Sequence, residues 1–318
     1  MAFRDLRGWM AEVEALGQLQ IARGAHWDLE IGTITELVRR QKNRPAVVFD
    51  DIPGYSSGFR VLGNIFGSVD RMALTWGLPL GLSMKELKDA VSKKYRSLEP
   101  IPPIEVSNGP IMENVMSGAE VDLFKFPVPK WHELDGGRYI GTASATITRD
   151  PEENWVNLGT YRVMVMDKNH VGFMISTGHQ GRTHRDKYFA RNQPMPVAIS
   201  CGHDPTIFLV ASREYPWGVC EYDYAGAIKG QPIEVIKGPL TGLPIPATAE
   251  IVLEGFATPG ETRIEGPFGE YTGYYGSAAR DEPIIEIKAV YYRNDPIILG
   301  SPPSRPPSEQ TFTSAIVR

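Results

Sequence analysis

The sequence predicts an α+β protein in which a small amino-terminal α/β unit precedes a larger region built from strands. Three observations carry that prediction. Over the first hundred residues apolar positions recur at helical steps, broken by short strand patterns. The proline-clustered stretch IPPIEVSNGP (101–110) then interrupts regular structure. Beyond it, short runs rich in β-branched and aromatic residues, closely punctuated by glycine and proline, replace the helical period.

Phe3, Leu6, Trp9, Met10, Val13 and Leu16 fall on one face of a helix that Gly17 ends. A second helical pattern covers Ile31 to Arg40, and Ala46–Phe49 is a short strand before an acidic, proline-containing turn. FRVLGNIFG adds a glycine-punctuated segment. Ser83 and Glu86 have the spacing of a capping box, opening a third helix over KELKDAVSKKYRSL. After the hinge, ASATIT, YRVMVM, GFMIS, MPVAIS, TIFLVA, AEIVLEG and PIIEIKAVYY all read as strands of an antiparallel or mixed barrel, or of a packed β domain. One helical pattern interrupts them near 184–191. The last segment, SPPSRPPSEQTFTSAIVR, ends on what reads as the start of a helix, which points to truncation or to a natural carboxyl tail.

Composition narrows the class of function. The chain has 318 residues, 42% hydrophobic and 22% charged, with a formal charge of −5. That balance offers no electrostatic footprint for nucleic acid or an anionic membrane. No apolar run approaches the length needed to cross a bilayer, and the amino terminus lacks the pattern of a secretory signal, so the expected location is the cytoplasm. Two cysteines, Cys201 and Cys220, support neither a zinc cluster nor a disulfide framework and are expected as buried thiols. Walker and Rossmann patterns are missing from the sequence.

The densest candidate site is EGPFGEYTGYYG (265–276), where Glu265 and Glu270 bracket a Gly-Pro-Phe-Gly turn and Tyr271, Tyr274 and Tyr275 follow. Its glycines and proline fix a particular backbone path, on which an acidic surface loop and a pocket wall are both open readings. Arg162 opens the strand Val163-Met164-Val165-Met166, apolar on both faces. A guanidinium entering buried structure requires an anionic partner, either a structural Asp or Glu or the carboxylate of a substrate. Asn157, His179 and Glu221 carry oxygen and nitrogen donors of the kind that bind a divalent metal, at spacings too long to identify a motif. Lys168, Arg182, Arg185 and Lys187 read as solvated surface, with a cofactor phosphate as the alternative.

GGRYI (136–140), TRDPEENWVNLGTYRVMVMDKNH (148–170) and EGPFGEYTGYY (265–275) occur in an order and at separations that resemble the UbiD family of prenylated-FMN-dependent decarboxylases, over nearly the whole chain. The resemblance implies an amino-terminal α/β domain (1–110), a split β-barrel that binds prenylated FMN (111–300), and, in 301–318, the start of a connection to a carboxyl-terminal oligomerisation domain missing from this chain. It implies Arg162, Glu265 and Glu270 as the catalytic trio. It also implies Asn157, Thr160, Tyr161, Arg162, His179 and Glu221 as cofactor contacts, and Asn157, His179 and Glu221 as ligands of Mn²⁺ or Mg²⁺, with K⁺ nearby. Gly178 stands before the ligand histidine where some members have glutamine.

The implied activity is non-oxidative, reversible decarboxylation of an aromatic, heteroaromatic or α,β-unsaturated acid, with CO₂ as co-product. Loss of CO₂ leaves an electron pair that no side chain accommodates well, which is the physical reason for a cofactor. Arg162 would orient the carboxylate, Glu270 would protonate carbon, and Glu265 would tune it through the arginine. Phe268 and the tyrosines are candidate apolar wall or core. A flavin prenyltransferase as cofactor supplier and assembly as a homodimer or larger homo-oligomer complete the expectation. Carboxylation as the physiological direction, or an accessory flavin- and metal-binding subunit without turnover, are the alternatives.

Overall fold

The computed structural model describes residues 3–317. Helix α1 (Leu6–Ala15) starts where the Asp5 side chain accepts from the Gly8 amide, and it buries Leu6, Trp9, Met10 and Val13, the face the periodicity selects. Strand β1 (Leu19–Arg23), helix α2 (Glu30–Arg39), and strands β2 (Ala46–Asp50) and β3 (Arg60–Gly63) follow. Helix α3 (Val69–Trp76) was not expected. It lies between Ser68, whose side chain accepts from the Arg71 amide, and Gly77 in the left-handed region at φ 62°, and is too short to declare its period. Helix α4 (Met84–Arg96) has both halves of the capping box: Ser83 Oγ accepts from the Glu86 amide at 3.3 Å, and Glu86 Oε2 from the Ser83 amide at 2.8 Å.

The proline-clustered hinge is partly ordered. Its β4 (Ile104–Glu105) pairs in parallel with β12 (Glu234–Lys237), which also pairs with β13 (Pro244–Pro246). The strand-rich region supplies β5 (Asn114–Ser117), β6 (Arg138–Gly141), β7 (Ala145–Arg149), β8 (Val156–Gly159), β9 (Val163–Val165), β10 (His170–Gly172) and β11 (Met195–Ser200). Further along come β14 (Ile251–Ala257), β15 (Thr262–Glu265) and the long β16 (Arg280–Tyr292). They form one curled sheet of ten strands in the order β6-β9-β10-β16-β14-β11-β7-β8, with β15 and β5 also paired to β16.

Two sequence expectations change here. TIFLVA is not a strand but lies within helix α6 (Pro205–Ala211), every residue of it buried, with Asp204 accepting from the Thr206 amide and Pro205 in the first turn. A continuous apolar run this short does not distinguish a buried helix from a strand, and the Asp-Pro start decides it. Glu221 opens helix α7 (Glu221–Lys229). The expected GFMIS strand ends early, at Gly172. The expected helix near 184–191 is present as α5 (Gln180–Ala190).

Nor does the expected boundary at residue 300 divide the sheets. Strand β17 (Ile297–Gly300) returns to pair in parallel with β3, giving the smaller sheet the order β1-β2-β3-β17. Residues 301–317 likewise pack into the amino-terminal unit. Helix α8 (Glu309–Val317) carries Glu309, whose buried carboxylate meets buried Arg39 at 3.0 Å and accepts from the Phe66 amide at 2.7 Å. A buried pair of this kind is costly to break, because the survivor is left desolvated and alone. Arg318 lies outside the described residues. Among the described residues no helix is long and apolar enough to cross a membrane.

Candidate active site

Arg162 sits in the turn between β8 and β9, a position fixed by β8 pairing with β7 and β9 pairing with β6. Its guanidinium donates from Nη2 to Glu265 Oε2 at 2.6 Å, and its Nη1 lies 3.9 Å from Glu270 Oε1. The two carboxylates differ in environment. The Glu265 side chain, at the end of β15, is 1% exposed, whereas Glu270 on the following loop is 39% exposed. Glu265 is also held from the other side, where Tyr139 of β6 donates its hydroxyl to Oε1 at 3.1 Å. Burial, then the Glu265 charge, push the Tyr139 phenol upward, so it remains a proton-bearing donor. The Arg162 guanidinium carbon lies 5.7 Å from the Phe268 ring centre, within cation–π range.

The glycine pair of DGGRY has a packing reason. A Cβ on Gly136 would lie 2.0 Å from the Gly266 carbonyl oxygen, so the two segments touch backbone to backbone. Of the aromatic residues in the acidic turn, Phe268 is buried against Tyr139, with ring centres 4.1 Å apart, while Tyr271 and Tyr274 are exposed. Phe268 is thus a buried residue, while Tyr274 lines a cavity beside Glu270.

Only a few residues before Arg162 the same stretch lines a second feature, a cavity of about 220 Å³. Asn157, Thr160 and Tyr161 line it from β8 and the turn, His179 from the cap of α5, and Glu221 from the first turn of α7. All the residues that the sequence singled out as cofactor and metal contacts on this side are thus brought together. Glu221 is buried, and its Oε2 accepts from the Leu158 amide at 2.7 Å. Among the described residues it forms no ion pair, and burial raises its pKa to about 8. Among the described residues Asn157 Nδ2 and Thr160 Oγ1, both buried, have no hydrogen-bond partners. The Tyr161 hydroxyl accepts from the Gly181 amide at 3.3 Å, and burial raises its pKa.

A desolvated carboxylate without a counter-charge is unfavourable, and it shares its cavity with an amide and an imidazole. That donor set fits a divalent cation of the Mg²⁺ or Mn²⁺ type, and the amino termini of α5 and α7 favour anionic groups such as phosphate beside it. Among the described residues no cluster of three or more His, Cys, Asp and Glu exists; here the third donor is an amide.

Sequence reasoning missed Tyr139 as a partner of Glu265, and Ser212, Arg213 and Tyr215 as cavity lining. Arg213, whose guanidinium carbon stacks 4.1 Å from the Tyr95 ring centre, offers the cavity a cation. Nothing in SREYP marks it out in the sequence. The basic residues weighed for that part line none of this cavity: Lys168 pairs with Asp122, Arg182 and Arg185 with Asp186, and Lys187 with Asp150. Cys201 and Cys220 are free thiols, the first buried and the second partly so.

Comparison with known proteins gives a consistent result. Residues 10–91 match the family domain described as 3-octaprenyl-4-hydroxybenzoate carboxy-lyase N-terminal domain (UbiD_N), and residues 104–306 the corresponding Rift-related domain (UbiD). A pyrrole-2-carboxylic acid decarboxylase of Pseudomonas aeruginosa is 37% identical over 288 residues, covering 87% of this chain and 58% of the relative. A phenolic acid decarboxylase of Bacillus subtilis is 34% identical over 313 residues, covering 95% and 65%. The chain thus spans about three fifths of the length of these curated relatives. The closed form of vanillic acid decarboxylase from Sedimentibacter hydroxybenzoicus superposes with a TM-score of 0.92 at 32% identity, covering 98% of this chain and 67% of that one. An evolved dimeric form of the UbiD-class enzyme HmfF from Pelotomaculum thermopropionicum, solved with prFMN, gives 0.86 at 28%, covering 98% and 70%.

Proposed function

The chain belongs to the UbiD family of carboxy-lyases, and from that premise we propose that it decarboxylates an aromatic or heteroaromatic carboxylic acid, reversibly and without net oxidation, using prenylated FMN. The observation that carries the reading is Arg162 held between a buried and an exposed glutamate, at 2.6 Å and 3.9 Å. A guanidinium fixed on one side by Glu265 keeps its remaining donors for a second carboxylate, and among the described residues the buried Nε has no hydrogen-bond partner. An acid substrate supplies that second carboxylate.

Prenylated FMN, when bound, supplies the electron sink that CO₂ loss requires. The side chains contribute orientation and the proton. Arg162 aligns the substrate carboxylate, and Glu265, engaged by both Arg162 and Tyr139, keeps the guanidinium in place. Each turnover converts a carboxylate and one proton into CO₂ and a carbon–hydrogen bond. Glu270 is the group that delivers that proton, and its partial exposure lets solvent recharge it. Asn157, His179 and Glu221 would hold Mn²⁺ or Mg²⁺, with Thr160, Tyr161 and the helix amino termini beside the cofactor phosphate. K⁺ near the same site, supply of the cofactor by a flavin prenyltransferase, a cytoplasmic location and homo-oligomeric assembly belong to the same reading.

The test is CO₂ release from a panel of phenolic, heteroaromatic and cinnamic acids, using protein co-produced with an enzyme that prenylates FMN. Turnover of at least one acid is expected. Protein that carries stoichiometric cofactor and releases no CO₂ across the panel would be an accessory subunit instead.

A further inference from the structure

The exposed glutamate poses a positional question. Glu270 contacts Arg162 only at 3.9 Å, and its backbone bonds stay within its own turn: its amide donates to the Tyr274 carbonyl at 2.9 Å, and its carbonyl accepts from the Gly273 amide at 2.9 Å. The turn is therefore internally consistent but needs an external reference to the rest of the site. Residues 132–139 provide one. Along this segment the Gly136 amide donates to the Pro267 carbonyl at 2.8 Å, the Leu134 amide to the Tyr275 hydroxyl at 3.1 Å, and Tyr139 reaches both Glu265 and the Pro267 carbonyl.

Among these contacts one comes from a buried charge. Asp135, 4% exposed, accepts from the Gly269 amide on Oδ1 at 3.0 Å, immediately before Glu270. Its Oδ2 accepts from the His132 amide at 3.0 Å, and His132 Nδ1 lies 3.3 Å away. The His132 ring in turn packs on Gly269, where an added Cβ would lie 2.9 Å from Nδ1. A carboxylate accepting from backbone amides makes a short, strong and directional contact, and removing it leaves a buried amide unpaired. Resting on the decarboxylase reading above, we propose that Asp135, supported by His132, is a positioning residue that sets the height of Glu270 over the substrate through the Gly269 amide.

The size of the effect follows from geometry. Displacement of a reacting group by about 1 Å costs on the order of 100-fold in rate. Asp135→Ala is expected to lower kcat by about that factor, with KM and bound flavin unchanged. Hydrogen exchange of the amides at 269–275 is expected to accelerate by at least about tenfold, the barrel amides keeping their rates. Asp135→Asn retains one acceptor oxygen for Gly269 and falls between the wild type and Asp135→Ala. If Asp135→Ala does not fold, Asp135→Asn carries the same readouts.

The proposal is overturned by an unchanged kcat, by a fall in kcat that only tracks lost flavin, or by unchanged exchange at 269–275. These failures are separable from failure of the functional reading. A wild type without decarboxylase activity removes the reaction, while the exchange comparison still decides whether Asp135 holds the loop.

Discussion

The two ends of the Asn157–Arg162 stretch are finished to different degrees. At Arg162 the protein supplies its own counter-charge: a buried glutamate, a tyrosine behind it and a second glutamate within reach. At Asn157, among the described residues, it leaves a buried carboxylate without an ion pair and two polar side-chain atoms without partners. The first end is preorganised by the fold, and its geometry is present before anything binds. On the proposed reading, the second is completed by what binds there. On that reading, one strand and its turn couple a reaction corner held by the protein's own side chains to an anchoring corner whose stability depends on its ligand.

That contrast can be broken at either end. The largest effect is expected from Glu270→Gln, which should reduce turnover by about 10²–10⁴-fold while flavin absorbance stays with the protein; normal steady-state CO₂ release would end its role as acid. His179→Ala should weaken metal and flavin together, by at least ~10–100-fold in metal affinity. Elemental analysis showing unchanged metal content would reject it as a ligand.

The carboxylate of Glu221 gives a pH test of the unfinished end. With its folded pKa raised to about 8 from an ordinary 4.5, folded protein without metal keeps a proton that the unfolded chain has lost between those values. Stability should therefore fall as pH rises through that window, by on the order of a few kcal/mol. A bound divalent cation favours the ionised form and should flatten the slope. Denaturation at pH 5 and pH 8, with chelator and with Mn²⁺, measures this, and equal slopes would remove the metal assignment. Smallest is Tyr139→Phe, which deletes one hydrogen bond to Glu265 and should cost roughly tenfold in kcat, about 1.4 kcal/mol and so just under the ~1.5–3 kcal/mol of a bond to a charged group. A wild-type rate would make Tyr139 a core residue only.

How far the sequence could be read depended on the range of the interaction. The capping box at Ser83 and Glu86 and the buried face of α1 are local, and both were legible. TIFLVA was not, because a short apolar run satisfies helix and strand alike, and the Asp-Pro signal before it was passed over. Burial physics required an anion for Arg162, but which anion depends on a contact across 103 positions. The acidic turn marked Glu265 as a candidate, and its grouping with Arg162 came only through the family resemblance. Asp135 stood beside a motif quoted for that resemblance, yet its role becomes visible only where Gly136 meets Gly266.

The return of Ile297–Gly300 to β3 has a consequence for the order in which the protein is made. Until that strand emerges from the ribosome, the nascent amino-terminal sheet presents β3 as an open edge, and the apolar residues that will face Ile297, Ile298 and Leu299 have no cover. At about 5–20 residues per second, the interval between β3 and β17 lasts on the order of ten to fifty seconds. During it the unit is exposed to mispairing with other chains. A fragment ending near residue 110 should therefore aggregate in a cell-free translation unless a peptide carrying residues 296–301 is added in trans.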